Sequence, residues 1–236
     1  MFRFLLRFAC FVLAAALLIG LVSAPLLPKD GAQDPGKKNI LLANTGNSHG
    51  MFAFDYGVMP EELFPENFAM ESQSIVYDEK LVRYFEHHFA EEGAVLFVLV
   101  DMTSFWYEER EDADFNAKNE RYLTMIGARN MRFKNLFETL MYRYFYLMTC
   151  MDRWTDTLFT IDSSGAESNP QLSLYSRAEI GRMRAAHHLK HIQYEDGTLR
   201  PMIEENVQAL QNILSLCKEK NIRPIILTTP YHNRAW

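Results

Sequence analysis

The chain has 236 residues, 48% of them apolar and 13% aromatic, which is enough core-forming material to exclude intrinsic disorder for its body. A formal net charge of −6, with Lys and Arg dispersed along the chain, speaks against a nucleic-acid partner, because no block of positive charge is present to neutralise phosphates. Cys10, Cys150 and Cys217 stand far apart, and Cys10 lies in an N-terminal apolar run, so neither a disulfide framework nor a zinc site is expected.

Residues 1–27 read as a targeting segment. Arg3 and Arg7 supply a positive flank, and residues 8–24 are apolar apart from Ser23. That length is at the lower limit for crossing a hydrocarbon core of ~30 Å, and longer than the apolar core of an ordinary signal peptide. Val22, Ser23 and Ala24 have the small-residue character of a cleavage site, but Pro25 directly after it hinders cleavage. The expectation is an uncleaved N-terminal transmembrane anchor, with a cleaved signal segment as the alternative, and the body on the extracytoplasmic side, since positive charges stay inside. Residues 28–38 (PKDGAQDPGKK) form a polar linker with Pro and Gly, and residues 39–236 form the domain proper.

Within that domain apolar runs and amphipathic stretches alternate. Residues 39–43 (NILLA) are expected to be a buried strand running into the turn at Thr45, Gly46 and Asn47. Residues 72–92 are expected to be a helix with Val82, Phe85 and Phe89 on one face, stopped by Gly93. Residues 94–100 (AVLFVLV) are a second apolar strand. Ile203, Val207, Leu210, Leu214 and Cys217 recur at helical spacing, with Lys218 and Lys220 placed to suit the helix dipole. Residues 223–229 (RPIILTT) follow as a strand ended by Pro230. All-apolar strands between helices predict an α/β fold, a doubly wound parallel sheet with helices on both faces. Residues 115–165 differ in character, being rich in Tyr, Phe, Met and Arg, and read as a helical insertion; residues 162–170 (DSSGAESNP) read as a surface loop.

The stretch that carries chemistry is Thr45-Gly46-Asn47-Ser48-His49-Gly50, directly after the first strand. Ligands of open parallel sheets collect at the carboxyl ends of strands. A Ser on a tight turn there can expose its hydroxyl, with neighbouring backbone N–H groups facing a developing oxyanion. Gly46 and Gly50 supply backbone freedom for the turn and Asn47 supports it by local hydrogen bonding. Taken alone, Gly-Asn-Ser is also an ordinary polar turn.

Together with residues 67–78 (NFAMESQSIVYD), the strand at 93–100 and Ser104-Phe105, this turn resembles the first blocks of the SGNH (GDSL-type) hydrolases. It looks most like their membrane-anchored branch associated with bacterial surface polysaccharides, akin to alginate O-acetylation and D-alanyl lipoteichoic acid transfer proteins. The resemblance spans residues 39–104 and, more loosely, 222–231. It implies a three-layer SGNH/flavodoxin-like sheet with Ser48 as nucleophile. It also implies an oxyanion hole built from the Ser48 N–H and, in the second block, Ser72 and Gln73. Two positions depart from the family. Asn47 stands where Asp is usual, and no Asp-x-x-His occurs, although that segment supplies the family's Asp and His after the last strand. A Ser needs an adjacent base to become a nucleophile near neutral pH. The expectation is therefore that the sheet is incomplete at the C-terminus and the base lies beyond Trp236, or else that the chain is inactive.

Other residues have readings of their own. His49 adjoins Ser48, but neighbours on a turn usually point apart, so it reads as a poor base for it. His232 reads as a loop residue or as one approaching the site from the sheet edge, and His87 and His88 as surface residues. His187, His188 and His191 include one i, i+4 pair, yet no H-E-x-x-H arrangement is present and the surrounding Arg and Lys repel a cation, so no metal is expected. Asp101 reads as a loop cap or as a functional carboxylate at the correct sheet edge. The aromatics of 133–146 read as core, or as a platform for sugar or acyl chains. The combined expectation is an outward-facing Ser-dependent esterase or acyltransferase acting on ester-linked acyl groups of a cell-envelope polysaccharide. Its partners would be the glycan or an acyl donor and, through the anchor, the membrane; it needs no cofactor. The alternative of another class is a non-catalytic, membrane-tethered glycan-binding or scaffold component. A phosphate-binding turn is a third reading, which lacks any Lys or Arg near Gly46.

Overall fold

The computed structural model describes residues 2–23, 39–111, 122, 123, 125–127, 130–145, 179, 186 and 188–228. The chain divides into two compact units, one made of Met1–Gln33 and Asn116–Ala166, the other of Asp34–Phe115 and Glu167–Trp236.

The second unit is an α/β fold. Its strands are β1 (Leu42–Thr45), β2 (Glu66–Asn67), β3 (Val95–Val100) and β4 (Arg223–Thr228). They form one all-parallel sheet in the order β2-β1-β3-β4, with Leu42 beside Val95 and Val95 beside Arg223. Leu96 and Val98 are fully buried on one face, and the intervening Phe97 points to the other. There the ring of Phe54, from the β1–β2 connection, lies 5.0 Å from that of Phe97. Both the β2-to-β3 and β3-to-β4 connections move the same way across the sheet, so right-handed crossovers place their helices on one face. The first unit contains α1 (Phe2–Ser23), and the β1–β2 connection contains α2 (Ser48–Ala53). The crossover helices are α3 (Ile75–Tyr84) and, after α4 (Leu136–Tyr144) in the first unit, α5 (Glu204–Glu219). Accordingly α3 and α5 pack on each other, burying Leu81, Val82, Ala209, Ile213 and Cys217.

Several boundaries differ from the sequence reading. The helix expected over 72–92 ends at Tyr84 and gives way to a 3-10 turn at Glu86–His88. Beyond it the chain is captured by Ile40, whose N–H donates to the His88 carbonyl at 2.8 Å and whose carbonyl accepts from Ala90 N–H at 3.0 Å. Pairing in this way lets Phe85 and Phe89 pack around Phe68, with ring centroids 5.2 and 6.2 Å apart. The first strand lies later than 39–43 and includes Thr45. β2 has no apolar run to announce it. β4, expected as a buried strand, is largely exposed and carries Pro224, as suits a strand with a neighbour on one side among the described residues.

In the first unit, α4 is capped by Asn135, whose Oδ1 accepts from Glu138 N–H at 2.9 Å, while the Glu138 carboxylate accepts from Lys134 N–H. Tyr142 is buried and stacks on Phe133 at 5.3 Å, whereas Leu136, Phe137 and Tyr144 are exposed. The side chains of α1 are described for residues 7–22. Among the described residues no helix is long and apolar enough to cross a membrane. The transmembrane segment expected from the sequence therefore has no support in the fold and stays a reading of the sequence. The loop at 162–170, Cys150, His187 and His232 lie outside the described residues.

Candidate active site

The connection leaving β1 runs to β2 on one side, and the chain then crosses back over β1 to β3 on the other. The carboxyl ends of β1 and β3 therefore border the crevice in which parallel sheets bind ligands. Thr45-Gly46-Asn47-Ser48 leaves one end and Asp101 leaves the other.

Two glycines make the turn possible. Gly46 has a φ of +122°, and a Cβ there would stand 2.8 Å from Leu99 Cβ. A Cβ on Gly50 would meet the Thr45 carbonyl oxygen at 2.7 Å and Ala69 Cβ at 3.0 Å. The turn is thus pressed against β3 on one side and folded back on β1 at the other. Asn44, fully buried, fastens it from below: its Nδ2 donates to the Gly50 carbonyl at 3.0 Å and its Oδ1 accepts from Tyr56 OH at 2.6 Å. Burial, and the negative charge of Glu66, raise the Tyr56 hydroxyl above its ordinary range and keep it a donor.

Asn47 caps α2, its Oδ1 accepting from His49 N–H at 3.0 Å. Ser48 follows as the first helical residue and is half-buried. Neither its hydroxyl nor its N–H has a hydrogen-bond partner among the described residues.

Two buried carboxyls grip the turn. Asp101 accepts from Asn47 Nδ2, and its Oδ2 lies 3.8 Å from His49 Nδ1, which is itself 3.2 Å from Asn47 Oδ1. Its other oxygen accepts from Thr103 N–H and Thr103 Oγ1, both at 2.7 Å, and from Ser104 Oγ at 3.1 Å. Asp101 is therefore both a cap for its own loop and a partner of the Ser48 turn. Burial pushes its carboxyl up, but the donors His49, Thr103 and Asn47 outweigh this and hold it well below the usual carboxylate range. The loop is anchored by Asn206, whose Nδ2 donates to the carbonyls of Ser104 at 3.0 Å and Tyr107 at 2.9 Å.

Asp78, in the first turn of α3, is the second carboxyl. Its Oδ1 accepts from Gly46 N–H at 2.9 Å and from Gln73 Nε2 at 2.5 Å. Burial raises it to about 7 against the hydrogen bonds of Gln73 and Gly46, and the charge of Asp101 adds to the rise.

Of the residues singled out in the sequence, Gly46, Asn47, Ser48, His49, Gly50 and Asp101 come together. Gln73 is buried, and its amide nitrogen donates to Asp78 and to the Phe68 carbonyl at 2.9 Å, which links it to the turn through Asp78. Ser72 is half-buried with a φ of +53°, and its carbonyl lies 3.5 Å from Tyr107 OH. His87 and His88 stand in the 3-10 turn after α3, and His191 meets the Tyr107 ring edge-on at 5.9 Å. Sequence reasoning missed Asp78, although an acidic residue among Ile75, Tyr77, Leu81 and Val82 on an otherwise apolar helix face was a readable sign. Asn206 gave the same kind of sign, a polar residue at helical spacing between Ile203 and the buried Ala209 and Ile213.

Comparison with protein-family models, with curated proteins and with solved structures finds no match for this chain.

Proposed function

We propose that this chain carries the nucleophile portion of an SGNH-type, Ser-dependent esterase or acyltransferase. It would act on the extracytoplasmic side of a bacterial membrane, on ester-linked acyl groups of a cell-envelope polysaccharide. The α/β sheet is read as belonging to a three-layer, doubly wound SGNH domain tethered by α1. The observation that carries the reading is the placement of Ser48. Its hydroxyl, unpartnered among the described residues, stands at the carboxyl edge between β1 and β3, on a turn held by Asp78 and Asp101. In the reaction the Ser48 oxygen bonds to the acyl carbonyl carbon and its proton passes to a base. The oxyanion is met by backbone N–H groups of Ser48 and Ser72, and the glycan hydroxyl leaves with a proton. Water or another hydroxyl then takes the acyl group from Ser48. Among the described residues no base is hydrogen-bonded to the Ser48 hydroxyl, so the reading requires an acceptor from elsewhere in the natural protein, as the family's Asp-His pair implies.

In the natural full-length protein Ser48→Ala is expected to abolish turnover of a model acetyl ester while leaving the thermal transition in place. Turnover that survives the substitution rejects the assignment. Glycan binding by a protein without any turnover would place it with the non-catalytic scaffolds instead.

A further inference from the structure

Asp78 has no part in the acyl chemistry just described, yet it is among the most deeply buried ionisable groups, with 2% of its surface exposed. Its Oδ1 is the acceptor for Gly46 N–H, two residues ahead of Ser48, and Asp101 is the acceptor for Asn47, one residue ahead. Two consecutive residues leading into the nucleophile are thus tied to two carboxyls from different elements, 32 and 54 residues away in the chain. An amide at position 78 would offer Gly46 the same acceptor without the cost of burying an ionisable group. What calls for explanation is the ionisable group.

Resting on the Ser48 reading, we propose that Asp78 is a positioning residue whose proton decides how firmly the turn presents Ser48. Protonated, Asp78 sits beside the ionised Asp101 without repulsion and its Oδ1 keeps Gly46 in place. Once Asp78 loses its proton, two buried anions flank one short turn. The ionised carboxylate is then buried without water, which is the larger cost, and is also repelled by Asp101; the turn, the smallest piece covering it, yields to let water in. Burial and Asp101 favour the proton on Asp78, against the hydrogen bonds it accepts, which favour the ionised form. Gln73 and the Gly46 N–H are neutral donors, and Asp101 is the charged group that acts on it among the described residues. The neighbouring Glu79 is instead paired with Arg83 at 3.0 Å and with Asn212. The carboxyl value of about 7 puts the change in the neutral range.

The test uses the natural full-length protein and a fluorophosphonate probe, which reports Ser48 directly. The Ser oxygen bonds to phosphorus, fluoride leaves, and the hydroxyl proton goes to the base. The wild-type labelling rate should fall on the alkaline side of neutrality. Asp78→Asn, which keeps an acceptor oxygen and cannot ionise, should lose that limb while the acid limb of the base that serves Ser48 stays in place. The ratio of variant to wild-type rate should then rise about fivefold over the pH unit above the midpoint. An Asp78→Asn protein that keeps the wild-type alkaline limb overturns the proposal and leaves the Ser48 reading standing. If Ser48 of the wild type is never labelled, the Ser48 reading falls, and the clamp is decided by the Gly46 amide resonance. That resonance should titrate near neutrality in wild type and stay still in Asp78→Asn. A Gly46 amide that does not move between pH 5 and 9 in wild type overturns the clamp as well.

Discussion

Gly50 shows how little room the Ser48 turn has. Its missing side chain is what lets the first turn of α2 close to 2.7 Å, measured from an ideal Cβ, on the Thr45 carbonyl. The obstacle is backbone, which cannot swing away as a flexible side chain could. Gly50→Ala should therefore cost about 1–3 kcal/mol, the range of overpacked positions, read as a lower urea midpoint. Gly46→Ala adds an unfavourable φ to a contact with Leu99 Cβ and should cost more. A midpoint unchanged in Gly50→Ala contradicts the close approach. Both glycines were legible in the sequence as turn residues. The atoms they make room for were not, since Leu99 and Ala69 are distant in the chain.

At the scale of elements, the apolar run at 94–100 and the periodic stretch from Ile203 to Cys217 were readable because each buries one pattern of side chains on its own account. β3 and α5 lie close to where those patterns put them. The helix at 72–92 came out shorter because Ile40 competes for its last turn, and a strand partner 48 residues upstream of His88 leaves no trace in local periodicity. β2 is two residues long and polar, so pairing with Ala43 and Asn44, rather than propensity, makes it a strand. If the apolar sequence of α1 tethers the protein, the natural protein should sediment with membranes and resist alkaline carbonate. A form lacking residues 1–38 should appear in the supernatant. Carbonate-extractable wild-type protein refutes the anchor.

For the whole molecule, the two buried carboxyls should leave opposite marks on stability as pH changes. Asp101 is depressed when folded, so its contribution is present above the ordinary carboxyl value near ~4 and is lost as pH falls below it. Asp78 is raised from 3.8 to about 7, so its contribution is complete below the lower value and is lost as pH climbs to the upper one. A shift of that size corresponds to roughly 4 kcal/mol at the order-of-magnitude level. Thermal melts should therefore show Asp78→Asn more stable than wild type at pH 8 and level with it near pH 4. Asp101→Asn should be less stable at pH 7 and approach wild type at pH 2. An Asp78→Asn protein with the same pH slope as wild type would mean that Asp78 does not hold its proton in the fold.

The sequence by itself determined that the body is α/β, with apolar strands set between amphipathic helices. It also determined that the Gly-Asn-Ser turn follows a strand, since both properties depend on what each short segment must bury or bend. The tertiary structure alone decided which carboxyls meet that turn. Asp78 and Asp101 reach Gly46 and Asn47 because the β2-β1-β3-β4 order brings the carboxyl ends of β1 and β3 side by side and lays α3 beneath them. Strand order is set by how whole crossovers pack against one another, and no local pattern of residues encodes it.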